Sequence, residues 1–396
     1  MTGQDLACPE FFQDPYPFYR RIREEEDGVL WLDHQLSATR GIRLFARFAD
    51  AMAIFRENSA ISKSLSQVRA PGTGSPFDRV LLHRDAPDHP RLRKLVGDYF
   101  SASAATNFQQ RIGDITDELI DDLARRGGGD FVADFAEPLP LRVIGDVIGV
   151  PREDLGRIRA WTRSIADSFD SLLVNPDTVA AANQAIGEFL AYSEALWRDA
   201  PPARGGNLLS HLAAAEAAGE FSGEDITVMI AFLLLAGHET TINLLGSGLR
   251  LFLTHPGQWD HLRSHPEALP VAIEEILRYE SPEQRTSFRI ALEPIEIGGH
   301  RIEAGEQIGA IIASANRDGA EFPDPDRFDI TRTPNRHVAF GFGAHHCMGR
   351  HLSRLEARIV FAKLLDRFPG LQLVTDQPVW RRNSFFRGLT TLPVKL

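Results

Sequence analysis

Between Ser222 and Thr254 the sequence keeps an apolar helical pattern for about thirty residues, and Pro256 stops it. Ser222, with Asp225 three positions on, forms a capping arrangement at its start. At 1.5 Å per residue such a helix is ~48 Å long, enough to cross a whole molecule. Its most apolar window, Val228 to Gly237, is too short to span a bilayer. In its middle stands AGHETT, Ala236 to Thr241. An acid and two threonines inside an apolar helix are unfavourable without partners, so they either bond back to the previous turn or do chemistry.

The 396 residues allow two or three domains by length, yet no repeat, low-complexity tract or linker divides them. A composition of 43% hydrophobic and 24% charged residues supports a large core. The net charge of −11 and the lack of a Lys/Arg run argue against nucleic-acid binding. Two cysteines make no disulfide framework, which points to a reducing cytoplasm. The N-terminal stretch carries no apolar run to serve as signal or anchor, so no membrane partner is expected.

Residues 340 to 349 read FGFGAHHCMG. Gly341, Gly343 and Gly349 are expected to take positive φ and let backbone approach a flat ligand. Leu352, Leu355, Ile359, Ala362 and Leu365 then recur at helical spacing, so a helix starts near Gly349. That places the Cys347 sulfur at the positive end of a helix dipole, where thiolate is favoured. The residues alone leave three readings: a small buried cysteine, a nucleophile or a metal ligand. Zinc would use His337, His345, His346 and His351, but the only other cysteine is Cys8, with no partner near it.

Elsewhere, an aromatic and proline cluster (Phe11 to Tyr19) precedes a charged helix-like stretch, and 29–32 and 41–48 have strand character. Residues 62–85, broken by Pro71, Gly72, Gly74 and Pro76, read as a long loop. In DAPDHPRLRKLVGDYF, His89 and Arg93 lie four apart on one helix face. Residues 111–126 form an amphipathic helix stopped by Gly127, and further helices follow to Leu212. Glu275 and Arg278 sit one helical turn apart in EEILRYESP, and Arg327 lies in FPDPDRF. Ile295 to Ile302 suits a hairpin, preceded by Arg289 and followed by the apolar run Ile308 to Ile312.

Taken in order, HxxxR, AGxET, ExxR, PDRF and the Cys loop resemble the cytochrome P-450 family along nearly the whole chain. The resemblance implies a mainly α protein with a smaller β region, a single domain over 1–396 clasping haem b. Cys347 then corresponds to the proximal iron ligand, whose thiolate favours O–O cleavage. His89, Arg93 and Arg289 match propionate-binding positions, consistent with the way arginine forks onto carboxylates, and His345 is a further cofactor-binding candidate. Phe340 and Gly341 belong to the haem-binding loop. Ala236 and Gly237 leave room for O2, and Glu239 and Thr240 match an acid–alcohol pair that delivers protons to dioxygen. Glu275, Arg278 and Arg327 match a buried structural set. The 62–85 loop matches a wall of the substrate cavity, and Phe385 and Phe386 the tip of a last hairpin that points into it.

The implied activity is a monooxygenase inserting one oxygen atom of O2 into an apolar small molecule. No flavin domain, iron–sulfur cysteine cluster or dinucleotide fingerprint is evident, so electrons are expected from a ferredoxin and its reductase. Arg91, Lys94 and Arg350 are candidates for its docking patch. The alternatives are a peroxygenase using hydrogen peroxide and a non-oxygenating haem-binding homologue; an intact Glu239–Thr240 pair speaks against the first. Gln284 to Ser287 matches a stretch of cavity wall, where Arg285 is a departure. With Thr286 beside it, Arg285 is a candidate anchor for an acidic group on the substrate, or else pairs with a carboxylate such as Glu283.

Overall fold

Helix Gly223–Thr254 forms where the apolar pattern places it, with the Ser222 hydroxyl accepting the Asp225 amide at 3.2 Å. The computed structural model describes residues 3–33, 41–56, 59–64, 76–170, 172–173, 175–200 and 207–396. By length and composition this central helix passes for a membrane span, but 78% of its most apolar window is buried inside the protein. Its cover is helical. Pro138–Ile148, Leu155–Asp167 and Pro176–Arg198 pack on it from one side, and Leu269–Tyr279 and Arg350–Arg367 from another. The last of these comes close at Gly248, where a Cβ would lie 2.7 Å from the Phe361 ring. Only glycine lets the two helices meet there.

Helix Gln109–Arg126 buries Ile112, Ile115, Leu119 and Leu123 and ends at Gly127 in the left-handed region, φ 69°. Strands Val29–Asp33 and Gly41–Phe45 pair antiparallel and open a five-stranded sheet. Gln307–Ala310 joins it parallel to the second strand; Arg289–Ala291 and then Ile61–Ser62 complete it. The run expected from Ile308 to Ile312 therefore ends as a strand at Ala310 and turns into the short helix Ile312–Ala315. The Ile295–Ile297 and His300–Ile302 hairpin forms as read.

Two features of this sheet matter for the site. Ser62 pairs with Ile290, so the residue after it, Lys63, lies beside Arg289. Asp85 fixes that corner by accepting the Lys63 amide at 3.0 Å and the Ser62 hydroxyl. Of the loop expected over 62–85, residues 65–75 lie outside the described residues; 76–79 and 81–83 are short 3-10 turns.

The buried acid–arginine set differs from the expected one. Glu275 holds Arg278 through two bonds of 2.7 Å, and both side chains are fully buried. Its third partner is Arg332, at 3.3 Å, and not Arg327, which is exposed and faces Asp329. The chain turns back after Arg327, whose carbonyl accepts bonds from both Arg278 and Arg332. The backbone at Arg327 serves the set while its side chain leaves it.

Candidate active site

The Cys347 loop is closed by its own backbone. The Cys347 amide donates to Phe340 at 2.9 Å, and Gly341 (φ 66°) and Gly343 (φ 75°) take the left-handed conformation that the turn requires. Gly349 does not: its φ is −71°, and its role is spatial. A Cβ there would lie 3.9 Å from the Cys347 sulfur, and its N–H donates toward that sulfur. Phe340 is clamped by the Arg354 guanidinium, 4.4 Å over its ring, and Arg354 is held by Glu274 through two bonds of 2.7 Å.

Cys347 is exposed to a probe, with protein crowded around its sulfur. Enclosure pushes its thiol up from the ordinary value, against the Gly349 N–H and the cations Arg350 and Arg93; Glu283 adds to the rise. Desolvation therefore opposes the thiolate that the helix dipole favours.

A cationic cradle converges beside the loop. His89 and Arg93 lie on helix Asp88–Gly97, Arg289 on the sheet, and His345 two residues before the cysteine. His89 and His345 face each other with ring centroids 4.0 Å apart, and Arg93 Nη2 donates to the His346 carbonyl at 2.7 Å. The sequence reading missed the fifth member, Lys63, which is buried and donates to the Ser287 hydroxyl. Only strand pairing brings it there.

The crowding is costly. Burial, then Lys63, His89, Arg289 and Arg93, push His345 down to about 2. Burial pushes Arg289 down to about 10, and Lys63 falls well below its usual value through burial and then Arg289. The buried Arg289 Nη1 has no hydrogen-bond partner among the described residues. A buried guanidinium nitrogen without a hydrogen-bond partner calls for an anion. A flat ligand carrying two carboxylates and a metal for Cys347 meets both demands, so these residues fit haem b.

Midway along the central helix Ala236 is exposed, whereas Leu233, Leu234 and Leu235 before it are buried. Gly237 does not share that role. A Cβ on it would lie 2.6 Å from Ile144, so its small size lets helix Pro138–Ile148 approach. Thr240 is half-buried, with only a long bond (3.5 Å) back to the Ala236 carbonyl. Thr241 points instead to Ser353 of the Cys-loop helix, 3.2 Å away. Glu239 is buried and ion-paired with Arg381, Oε2 to Nη1 2.8 Å. Its neighbour His238 is buried between Thr162 and the Leu234 carbonyl, and burial pushes its pKa down.

The expected substrate residues are mostly turned to other partners. Arg285 is buried, donates to the Phe169 carbonyl at 3.0 Å and lies 4.8 Å over the Phe385 ring. Thr286 is stitched to Ala310 by its amide (2.9 Å) and its hydroxyl (3.1 Å). Phe385 and Phe386 pack edge to face at 4.8 Å, with Ala166 and Phe169, and are buried. Two carboxyls lie near the cradle: Asp85, which holds the Lys63 amide, and Glu283, half-buried and pushed up to about 7 by burial, against Lys63, Arg285 and Arg289. Arg91 is drawn away from the expected docking patch, to the Glu220 carbonyl (2.9 Å) and the Phe221 ring. Lys94 is exposed, and Arg350 donates to the Cys347 carbonyl at 2.9 Å.

Comparison with known proteins agrees with this geometry. The family profile described as Cytochrome P-450 matches residues 180–395. The polyketide biosynthesis cytochrome PksS of Bacillus subtilis is 37% identical, with 98% of this chain and 97% of that protein covered. The monooxygenase PikC of Streptomyces venezuelae is 36% identical, covering 99% and 92%. The crystal structure of the myxobacterial CYP267B1 in complex with myristic acid superposes with a TM-score of 0.90 at 36% identity, covering 99% and 98%.

Proposed function

Because the chain belongs to the cytochrome P-450 family, and is thereby a haem-thiolate monooxygenase that binds haem b, we propose a role for each group of the site. Cys347 ligates the iron through Sγ. Lys63, His89, Arg93, Arg289 and His345 hold the propionates, with Arg289 taking the most demanding contact. The observation that carries this reading is the buried, unpartnered Arg289 Nη1 in a cradle of cations beside an accessible cysteine.

When bound, haem supplies O2 activation and transfer of one oxygen atom to substrate, the other leaving as water. The residues of the chain do the rest. Thr240 offers a hydroxyl to the interior space that Ala236 lines, and Glu239 relays protons toward it from solvent. Enclosure by the central helix and the hairpin keeps water away from an apolar substrate.

The substrate is an apolar chain or ring of polyketide or fatty-acid type, in line with what PksS is named for and what CYP267B1 was crystallised with. Arg285 holds the hairpin tip to Phe169 and does not anchor an acid, since its guanidinium already has a carbonyl and a ring. Electrons come from a ferredoxin and its reductase in the cytoplasm, docking on the Cys347 side near Lys94 and Arg350. The intact acid–alcohol pair favours O2 over hydrogen peroxide as oxidant. The carbon monoxide complex of the reduced protein tests the reading: a thiolate-type spectrum is expected, and a histidine-type spectrum overturns it.

A further inference from the structure

From Ser281 to Thr286 every polar side chain but one is buried and engaged by protein. The Ser281 hydroxyl donates to the Leu277 carbonyl at 2.9 Å, and Gln284 donates to the Ser281 carbonyl at 2.7 Å. Arg285 is taken up by Phe169 and Thr286 by Ala310. Glu283 is the exception. Among the described residues its carboxyl makes no hydrogen bond and no ion pair, and it is half-buried while its neighbours are buried.

The backbone at Glu283 is pinned. It forms a β-bridge with Phe386 of the C-terminal hairpin, flanked by the Gln284 amide on the Phe385 carbonyl and the Arg387 amide on the Pro282 carbonyl, both at 2.8 Å. Gln284 faces the Tyr19 hydroxyl, 3.2 Å away. Alternation along extended backbone sends Glu283 to the opposite side, which it shares with its bridge partner Phe386. There the carboxyl lies near Lys63, Arg285 and Arg289, and near enough to the Cys347 sulfur to push its thiol up. An apolar wall of Phe385 and Phe386 and one unengaged carboxyl thus meet on the side of the cysteine.

Resting on the apolar substrate assigned above, we propose that Glu283 is a specificity-determining residue whose carboxyl binds a hydroxyl group of that substrate. The chain therefore selects hydroxylated chains or rings of polyketide type over plain fatty-acid chains. A methylene chain laid against an unpaired carboxyl desolvates it with nothing in return. A site that bonds a substrate hydroxyl rejects the analogue that lacks one. The neighbours argue for a hydroxyl over an ammonium, because Lys63, Arg285 and Arg289 repel another cation. A hydroxyl also donates to a carboxylate and accepts from a carboxylic acid, so it is held in either state.

Titration of the haem-loaded protein, read by the substrate-induced spectral shift, tests this. The probes are methyl laurate and its monohydroxylated isomers, with the hydroxyl moved along the chain. Wild type is expected to bind at least one isomer roughly tenfold more tightly than methyl laurate. Glu283→Val is expected to lose that preference and to bind methyl laurate more tightly than wild type does. Glu283→Gln, which still accepts a hydrogen bond, is expected to keep part of the preference. Neither change orphans a hydrogen-bond partner, and an unaltered carbon monoxide spectrum checks that the variants fold.

No preference in wild type, or a preference that Glu283→Val retains, overturns the assignment. Weaker haem retention in Glu283→Val with the preference intact would place Glu283 in the propionate cradle instead. Failure of wild type to bind any of these probes removes the apolar-substrate reading itself, and the assignment with it.

Discussion

Arg332 reaches Glu275 with Nε 3.3 Å from Oε2, while Arg327, inside the motif that points to a buried arginine, stands 67% exposed. Glu275 is fully buried and also holds the Asp329 amide (2.9 Å) and the Asn335 side chain (3.1 Å), so it ties the segment before the Cys loop to helix Leu269–Tyr279. Removing one member of a buried charged set leaves the others uncompensated. Arg332→Ala is expected to cost about 3 kcal/mol of stability. Arg327→Ala, which loses a surface pair, is expected to cost about 0.5 kcal/mol or less. Chemical denaturation of the two variants side by side decides it; equal losses would return Arg327 to the set.

Lys63 and Arg289 are expected to act with opposite sign on the two forms of the protein. Without haem they repel each other and are poorly solvated, so Arg289→Met should raise the melting temperature of the haem-free chain. With haem, loss of a buried partner for a carboxylate costs roughly 2–5 kcal/mol, so haem affinity should fall ~30-fold or more. Transfer of haem to an acceptor protein, read alongside melting of the haem-free chain, checks both. A fall in both stabilities would show that Arg289 is structural.

Cys347→Ser is expected to abolish the thiolate-type spectrum of the carbon monoxide complex while the far-ultraviolet circular dichroism stays helical. The loop is closed by the Cys347 amide and the glycines, none of which needs sulfur. A variant that keeps the spectrum would sink the ligand assignment.

Thr240→Ala is expected to leave the substrate-induced spectral shift in place and lower product per reductant consumed by roughly tenfold, with hydrogen peroxide made instead. The hydroxyl has only a long bond to its own helix, so its loss should cost little stability. Unchanged coupling in this variant would remove Thr240 from proton delivery.

Acid should loosen the Cys loop before it unfolds the whole chain. Burial raises the Glu274 carboxyl, but bonds from Arg354 and His337 outweigh it and hold the group at about 2. A carboxyl lowered on folding contributes stability above its unfolded pKa, and loses it as pH falls from there through the folded value. The loss is thus expected between about pH 4.5 and 2, and amounts to at most about 3 kcal/mol. Because Arg354 also clamps Phe340, hydrogen exchange in 338–349 should rise across that window. Glu274→Gln should remove the pH dependence. A loop equally protected across that range would contradict the clamp.

Sequence alone determined the elements whose signals are local. The central helix is written in a long apolar period with a cap and a stop, and the Cys loop in glycines that only a tight turn demands. HxxxR places His89 and Arg93 on one face because helical spacing is fixed. What the sequence could not decide depends on partners far along the chain. Lys63 enters the cradle through a two-residue strand whose register is set by Ile290, and nothing near Lys63 announces it. Arg381 finds Glu239 only because the C-terminal hairpin folds back onto the central helix, and Arg285 is diverted to Phe169 by the same hairpin tip. The choice of Arg332 over Arg327 turns on where one loop reverses. Local spacing fixes which residues share a helix face; desolvation and long-range pairing fix which charges meet, and only the folded chain carries that information.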